Sequence, residues 1–250
     1  MISNWEETQL IAESWTAEEV LRWAFQAFGS EIEMASGFGA EGMALIDIAA
    51  RHTSSLRVFT IDTGFLFPET YRLIERVERR YGITVERVQP KLTPEEQQDA
   101  YGPALWSFNP DQCCALRKVE PLKEKLAGLR AWITAIRREQ TTIRAHARKV
   151  EWDQKFQLAK INPLADWTTK DVWNYLHAHD VPYNPLHDAN YTSIGCTHCT
   201  RAIRPGEDAR AGRWSGFQKT ECGLHVAEPP VSSSPLVQLT LNSGPEECCS

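Results

Sequence analysis

Residues 196–225 read CTHCTRAIRPGEDARAGRWSGFQKTECGLH and hold three of the chain's seven cysteines. Cys196 and Cys199 form a C-x-x-C pair, a spacing that lets two thiolates reach one metal centre. A second pair, Cys113 and Cys114, lies far upstream in DQCCALRKVEP. Together they supply four sulfurs, enough for zinc or for one [4Fe–4S] cluster. Zinc sites more often use spaced cysteines, and neighbouring side chains on a strand point apart, so both upstream sulfurs converge only from a turn or a helix start. Taken alone, that upstream pair would read as ordinary buried thiols. Cys222 has no partner at ligand spacing. Lys219 and His225 flank it, and cationic neighbours raise the thiolate fraction of a thiol, which suits a nucleophile; a buried structural thiol is the competing reading. Cys248 and Cys249 receive no role.

Other residues are arranged to meet an anion. Arg201, Arg204, Arg210, Arg213 and Lys219 stand against only Glu207 and Asp208 in residues 196–219, reversing locally a net charge of -6. The glycine-rich SGFGAEG, residues 36–42, joins a strand signal to a helix signal, and such a turn aims backbone N–H groups and a helix N-terminus at an anion. It lacks the Lys-Ser/Thr of a Walker loop and the spacing of a dinucleotide fingerprint, so a tight turn of small packing residues explains it equally well. Farther on, TIDTGFLFPETY places Asp62 and Thr63 at the carboxyl end of a strand, where open parallel sheets bind ligands. They could read a ribose or an adenine edge, or simply cap the turn before a helix.

Positioning these groups requires an alternating framework. TAEEVLRWAFQAFG has a capping residue at Thr16, helical apolar spacing and a stop at Gly29. IEMAS, LRVFTID and ITVERV read as strands; MALIDIAARH and PETYRLIERVERRYG read as helices, the latter with Pro68 near its start and Gly82 at its end. RAWITAI reads as a further inner strand, and TTKDVWNYLHAH as a helix with a capping box from Thr168 to Asp171. Strands separated by helices imply βαβ units and a parallel, twisted sheet flanked by helices, an α/β fold. The expected organisation is an N-terminal helical segment (1–30), a nucleotide-binding α/β domain (31–189), an irregular Cys/Arg-rich catalytic segment (190–227) and a Pro/Ser-rich tail (228–250).

Composition limits the function classes. A hydrophobic content of 42% over 250 residues supports one sizeable core. The acidic balance gives no reason to expect nucleic-acid binding, and no apolar run reaches the ~18 residues of a membrane span. MISNWEETQL has no basic-then-apolar leader pattern, so the expected location is cytoplasmic. In that reducing compartment the cysteines read as metal ligands, redox groups or buried thiols rather than a disulfide frame.

SGFGAEG, IDTGFLFPETY, CCALRKVEPL, IRREQTTIRAH, CTHCTRAIRPGEDARAGRW and KTECGLH occur in the order seen in assimilatory adenylyl-sulfate reductases, and residues 15–227 resemble that branch of the wider phosphoadenylyl-sulfate reductase group. The resemblance implies an adenine-nucleotide α-hydrolase-like (PP-loop, Rossmann-like) fold. It implies a [4Fe–4S] cluster on Cys113, Cys114, Cys196 and Cys199, and Cys222 as the nucleophile toward the sulfur of adenosine 5′-phosphosulfate, with thioredoxin or a glutaredoxin-like dithiol releasing sulfite. Ser36, Gly37, Gly39 and Glu41 match the phosphate loop, Ile61 and Thr63 the nucleoside contacts. Arg137 and Arg144 match the arginines of the RREQ loop, Arg210 and Arg213 those of RAGRW. Lys118 matches a lysine linking cluster and substrate, and His225 a substrate-binding histidine. Two residues depart from the family loop: Phe38 stands where a second serine is common, and Gly42 replaces an aspartate, putting a hydroxyl and a carboxylate contact to the nucleotide in doubt.

The neighbouring readings are a 3′-phosphoadenylyl-sulfate reductase or dual-specificity enzyme, a PP-loop tRNA thiolase, and a non-catalytic nucleotide or redox sensor. The four paired cysteines favour the unphosphorylated sulfonucleotide, the acidic charge argues against a tRNA substrate, and Cys222 argues against a mere sensor. Homo-oligomerisation is left open.

Overall fold

Capping chemistry sets where the first long helix begins. Thr16 accepts from the Glu19 amide at 3.2 Å while the Glu19 carboxylate accepts from the Thr16 amide at 2.7 Å. This reciprocal box starts α2 (Ala17–Phe28), which follows the short α1 (Trp5–Ile11). The structure, a computed structural model, describes residues 5–225. The expected tail at 228–250, with Cys248 and Cys249, lies outside the described residues.

From α2 the chain alternates: β1 (Ile32–Ala35), α3 (Ala40–His52), β2 (Val58–Ile61), α4 (Pro68–Tyr81) and β3 (Val85–Val88). Pro68 opens α4 and left-handed Gly82 ends it, as the sequence implies. Four short helices follow: α5 (Pro94–Tyr101), α6 (Leu105–Phe108), α7 (Pro110–Cys114) and, after a π-helical turn at Ala115–Val119, α8 (Glu120–Leu126). Then come β4 (Ala131–Ile133), the pair β5 (Val150–Asp153) and β6 (Leu158–Ile161), and α9 (Thr169–Ala178), begun by the expected Thr168–Asp171 box.

One six-stranded sheet runs in the order β3-β2-β1-β4-β6-β5. All pairings are parallel except the last, where β5 lies antiparallel on β6. The expected parallel sheet flanked by helices is present, with one antiparallel strand added at its edge. β5 follows no crossover helix of its own; it precedes β6 through a tight Gln154–Gln157 turn, and a hairpin pair must be antiparallel. Strands β1 to β3 are laid down outward in one direction, then β4 returns to the other side of β1. That reversal opens a crevice beyond the carboxyl ends of β1 and β4, the place where such sheets hold ligands.

The core lies between helices and sheet. Val20, Leu21 and Ala24 of α2 share one buried cluster with Met34, Ile46, Val58, Ile74 and Ile133. The N-terminal helices are thus part of the same core as the sheet. Each fully buried Leu, Ile or Met contributes about 1.5–3 kcal/mol by leaving water, which fixes the strand ends that carry the site.

Candidate functional site

Loop chemistry at three strand ends builds one cavity of about 250 Å³. After β1, Ser36 Oγ accepts from the Phe38 amide at 3.1 Å, turning the loop sharply, with Phe38 buried at φ 56°. Ser36, Gly37, Gly39, Glu41 and Gly42 line the cavity there. A Cβ at Gly42 would stand 2.6 Å from Ser36 Oγ, so the loop as folded has no room for the family's aspartate. After β2, Asp62 accepts from Tyr71 Oη at 2.7 Å and from the Gly64 amide at 3.0 Å. Burial and that hydrogen bond push Tyr71 up to about 12. Asp62 is therefore engaged in holding the turn, the capping role that the sequence left open for it. Ile61 and Thr63 do line the cavity.

The cysteines come together from two directions. Asn109 caps α7, accepting from the Gln112 amide at 3.1 Å, and the helix carries Cys113 and Cys114 into the π turn. The wider turn is a device helices use at functional sites to redirect adjacent side chains. From the other side, Cys196 pairs with Leu66 in an isolated bridge, and Cys199 closes a 3₁₀ turn onto the Cys196 carbonyl at 3.0 Å. All four thiols line one enclosed cavity with Phe65, Trp106, Arg117, Lys118 and His198, and none is in a disulfide. His198 stacks on Trp106 with centroids 4.4 Å apart. No group of three or more His, Cys, Asp or Glu among the described residues is gathered tightly enough to chelate a single ion; the thiols surround a shared space instead. Burial, then the neighbouring sulfurs, pushes Cys113 and Cys199 up to about 11. At Cys196 burial also pushes upward, but Lys118, the Thr63 hydroxyl at 3.3 Å and Arg213 outweigh it and hold the thiol below its usual value.

Arg117 ties this group to the nucleotide end of the sheet. Its guanidinium donates to the Thr63 carbonyl at 2.5 Å, the Leu92 carbonyl at 3.2 Å and Gln97 at 3.0 Å, and it lies over Phe65. Lys118, next in sequence, faces both ways. Burial lowers its pKa, yet the field of Cys196, Cys222 and Cys114 more than compensates, and the ammonium is held above its usual value.

The chain after Cys199 forms the outer wall. Thr200 bridges Arg213, and the Trp214 amide donates to the Cys199 carbonyl at 3.1 Å. Arg213 donates to Ser193 Oγ at 3.2 Å and lies over Trp214. It passes so close to Gly195 that a methyl there would stand 2.5 Å from its Cζ. Arg144, Arg210 and Arg213 all line the cavity, as do Lys118, Cys222 and His225. Among the described residues, the buried Nε atoms of the three arginines, the indole nitrogens of Trp132 and Trp214, and His225 Nδ1 find no partner. Burial lowers the Arg210 pKa, and Arg144 and Arg213 add to the effect. His225 stacks on Trp132, centroids 5.6 Å apart; burial, with Arg144, Lys160 and Arg210 adding, holds its imidazole well below the usual range and hence neutral.

Arg137 is the exception among the substrate residues that the family resemblance implied. It does not line the cavity. Its guanidinium is spent on Glu41 at 2.8 Å, Glu139, the Trp167 carbonyl and Thr169. It orients Glu41 from behind, because a buried guanidinium must satisfy its donors locally. Sequence reasoning missed Trp132, Trp214, Arg117 and Glu221. Each sits inside or beside a quoted motif, but only burial distinguishes them from packing residues.

Comparison with known proteins agrees with this architecture. Residues 31–202 match the family model described as phosphoadenosine phosphosulfate reductase domain. The chain belongs to that family. It is 48% identical over 226 residues to the adenosine 5′-phosphosulfate reductase 2 of Bacillus subtilis (strain 168), covering 90% of this chain and 94% of that one. It is 47% identical to the adenosine 5′-phosphosulfate reductase of Shouchella clausii (strain KSM-K16), covering 83% and 87%. The crystal structure of phosphoadenylyl-sulfate reductase from Candida auris, a phosphate complex, superposes with a TM-score of 0.70 at 31% identity, covering 79% of this chain and 96% of that one. The Candida glabrata FMN adenylyltransferase (TM-score 0.54, 15% identity, covering 89% and 76%) shares the fold alone.

Proposed function

We propose that the protein reduces adenosine 5′-phosphosulfate to sulfite and AMP. The carrying observation is that Cys222 lines the same cavity as the β1–α3 glycine loop and three arginines whose buried Nε–H groups have no partner among the described residues. Such donors, buried and unpaired, are costly unless an anion takes them up. The relatives' printed names support the unphosphorylated sulfonucleotide.

The nucleotide enters the crevice between β1 and β4, its phosphate toward the loop amides and its sulfuryl group toward the arginines. The guanidiniums mask charge that would repel a thiolate. Cys222 Sγ attacks the sulfur; the S–S bond forms as the bond from sulfur to the bridging oxygen breaks, and AMP leaves with that electron pair. An external dithiol, thioredoxin or a glutaredoxin-like protein, attacks Cys222 Sγ, expels sulfite and closes its own disulfide, supplying both electrons. The sulfurs of Cys196, Cys222 and Cys114 keep the buried Lys118 ammonium charged between the two cavities. The four cysteines around one cavity suit a [4Fe–4S] cluster better than a single zinc ion, which needs its ligands at one point. Bound there, the cluster supplies fixed negative charge and a covalent cross-link between α7 and the 196–199 turn. Within the expected segments, 31–189 carries the nucleotide crevice and Arg144, the described part of 190–227 carries Arg210, Arg213 and the thiol, and the described part of 1–30 packs the core. A reducing cytoplasm suits the free thiols.

The Candida auris likeness keeps the 3′-phosphorylated sulfonucleotide as a second reading. The test is sulfite release from each sulfonucleotide with thioredoxin supplied. Turnover of the unphosphorylated compound at the higher kcat/KM is expected; turnover of neither refutes the proposal.

A further inference from the structure

The residue before the nucleophile is a buried carboxylate. Glu221 keeps only 3% of its side chain exposed. Its oxygens accept from Arg144 Nη2 at 2.6 Å and Thr141 Oγ1 at 3.0 Å, and Arg210 Nη2 stands 3.7 Å away while donating to the Thr220 carbonyl at 2.9 Å. A second tether follows Cys222: Lys155 Nζ donates to the Gly223 carbonyl at 3.0 Å. Arg144, Arg210 and Arg213 crowd three like charges around one cavity, and Glu221 supplies the carboxylate that faces two of them. Glu41, which does line the cavity, is engaged by Arg137 and Gln140.

We infer that Glu221 is a positioning residue: its carboxylate docks Cys222 over the cavity by occupying Arg144 and Arg210, the same guanidiniums an incoming anion draws on. Tethering of the thiol and binding of the anion are therefore in competition for those two side chains. The contact is adjacent in sequence to the nucleophile, so any loosening of Glu221 passes directly to Cys222 through one peptide link. Arg144 and Arg210 spend their Nη donors on Gln140, Glu221, Ser193 and the Thr220 carbonyl, and the Nε–H of each is buried with no partner among the described residues. Removing its charge has two effects of opposite sign. The anion site becomes more positive and binds more tightly, while the thiol loses its anchor and is delivered less often. A residue that merely packed the segment would weaken both. The inference rests on Cys222 being the nucleophile.

The test uses the full chain, with its metal, carrying Glu221→Gln. Three readouts are taken: the alkylation rate of Cys222 by iodoacetamide, followed by mass analysis of its peptide; the affinities for AMP and for inorganic sulfate; and kcat for sulfite release. Alkylation should rise about tenfold, AMP and sulfate should bind about three- to tenfold more tightly, and kcat should fall about tenfold. Unchanged alkylation, or affinities that are unchanged or weaker, overturns the inference. Should Glu221→Gln lose its fold by circular dichroism, Thr141→Val removes one of the donors to the same carboxylate. It keeps the charge and loosens the anchor, so alkylation should rise by a smaller factor while AMP and sulfate affinities do not tighten; wild-type alkylation for it overturns the inference. A wild-type protein that reduces no sulfonucleotide, yet shows the alkylation response, would refute the reductase reading and leave the tether standing.

Discussion

Replacing Gly195 by alanine should damage the anion site without removing a charge. The added methyl would stand 2.5 Å from Arg213 Cζ, with Nη1 at 3.1 Å. Carbon atoms in contact rest at about 3.5–4.0 Å, so the guanidinium must retreat by roughly 1 Å or more. That movement breaks its bonds to Ser193 Oγ (3.2 Å) and the Ile194 carbonyl (3.4 Å), which aim it. A displacement of about 1 Å in a positioning group costs on the order of a hundredfold. Loss of one charge-assisted hydrogen bond, about 1.5–3 kcal/mol, gives roughly 10- to 150-fold, so the two routes agree. Steady-state sulfite release should show kcat/KM down about 10- to 100-fold, with unchanged iron content and unchanged Cys222 alkylation. Because Gly195 adjoins Cys196, Arg213→Lys serves as the companion variant and should show a similar loss. Wild-type kcat/KM in Gly195→Ala would mean that Arg213 does not contact the reacting anion.

Cys222→Ser should retain iron and AMP affinity, measured by calorimetry, while sulfite production disappears. If the proposed cluster is bound, Cys199→Ala should lose iron by elemental analysis and melt earlier, because the cluster would join α7 to the 196–199 turn. Arg137→Met should lower stability by about 1–3 kcal/mol, because the Trp167 carbonyl and Thr169 lose their donor and Glu41 keeps only Gln140, yet leave the preference between the two sulfonucleotides unchanged. Acid should loosen the nucleophile's segment. His225 is held well below its ordinary value of 6.5 when docked, so the released chain binds a proton first; docking is fully present above about pH 6.5 and is lost as pH falls from there through the docked value. Tryptic release of the peptide containing Cys222 should therefore accelerate below that pH, and His225→Phe should flatten the profile.

Which elements were legible follows from how local their signals are. The capping boxes at Thr16 and Thr168, the proline that starts α4 and the glycine that ends it are decided within a few residues, and the structure places helices there. Of the thirteen residues that the family resemblance implied outside the cysteine pairs, twelve line one cavity, whereas Asp62, Arg201, Arg204 and Lys219, singled out by charge or position, do not. The β5–β6 hairpin was not legible, because Gln157 turns it at φ 57° with no Asn-Gly or Gly signal to announce it. The short helices between Pro94 and Leu126 each span two turns or fewer and carry too little periodicity to be distinguished from loops. Arg137 looked like its neighbour Arg144 in sequence; only the crossing of Glu41, Glu139 and Thr169 from other elements consumes its donors.

The π turn at Ala115–Val119 was equally invisible, and it follows directly on the adjacent cysteines. A regular α-helix entering from α7 would repeat its faces at 3.6-residue spacing, and Cys113, Cys114, Arg117 and Lys118 serve three different partners within six residues. The wider turn lets both thiols face the cluster cavity while Arg117 reaches across to the Thr63 carbonyl and Lys118 faces the cavity shared with Cys222. Thr63 in turn meets Cys196 Sγ. The nucleotide end of β2, both cysteine pairs and the cation nearest the nucleophile are thereby linked through one backbone irregularity. On the proposed function, a change that restored regular helical hydrogen bonding there should disturb metal binding, nucleotide binding and thiol delivery together, although it removed none of the residues assigned to them.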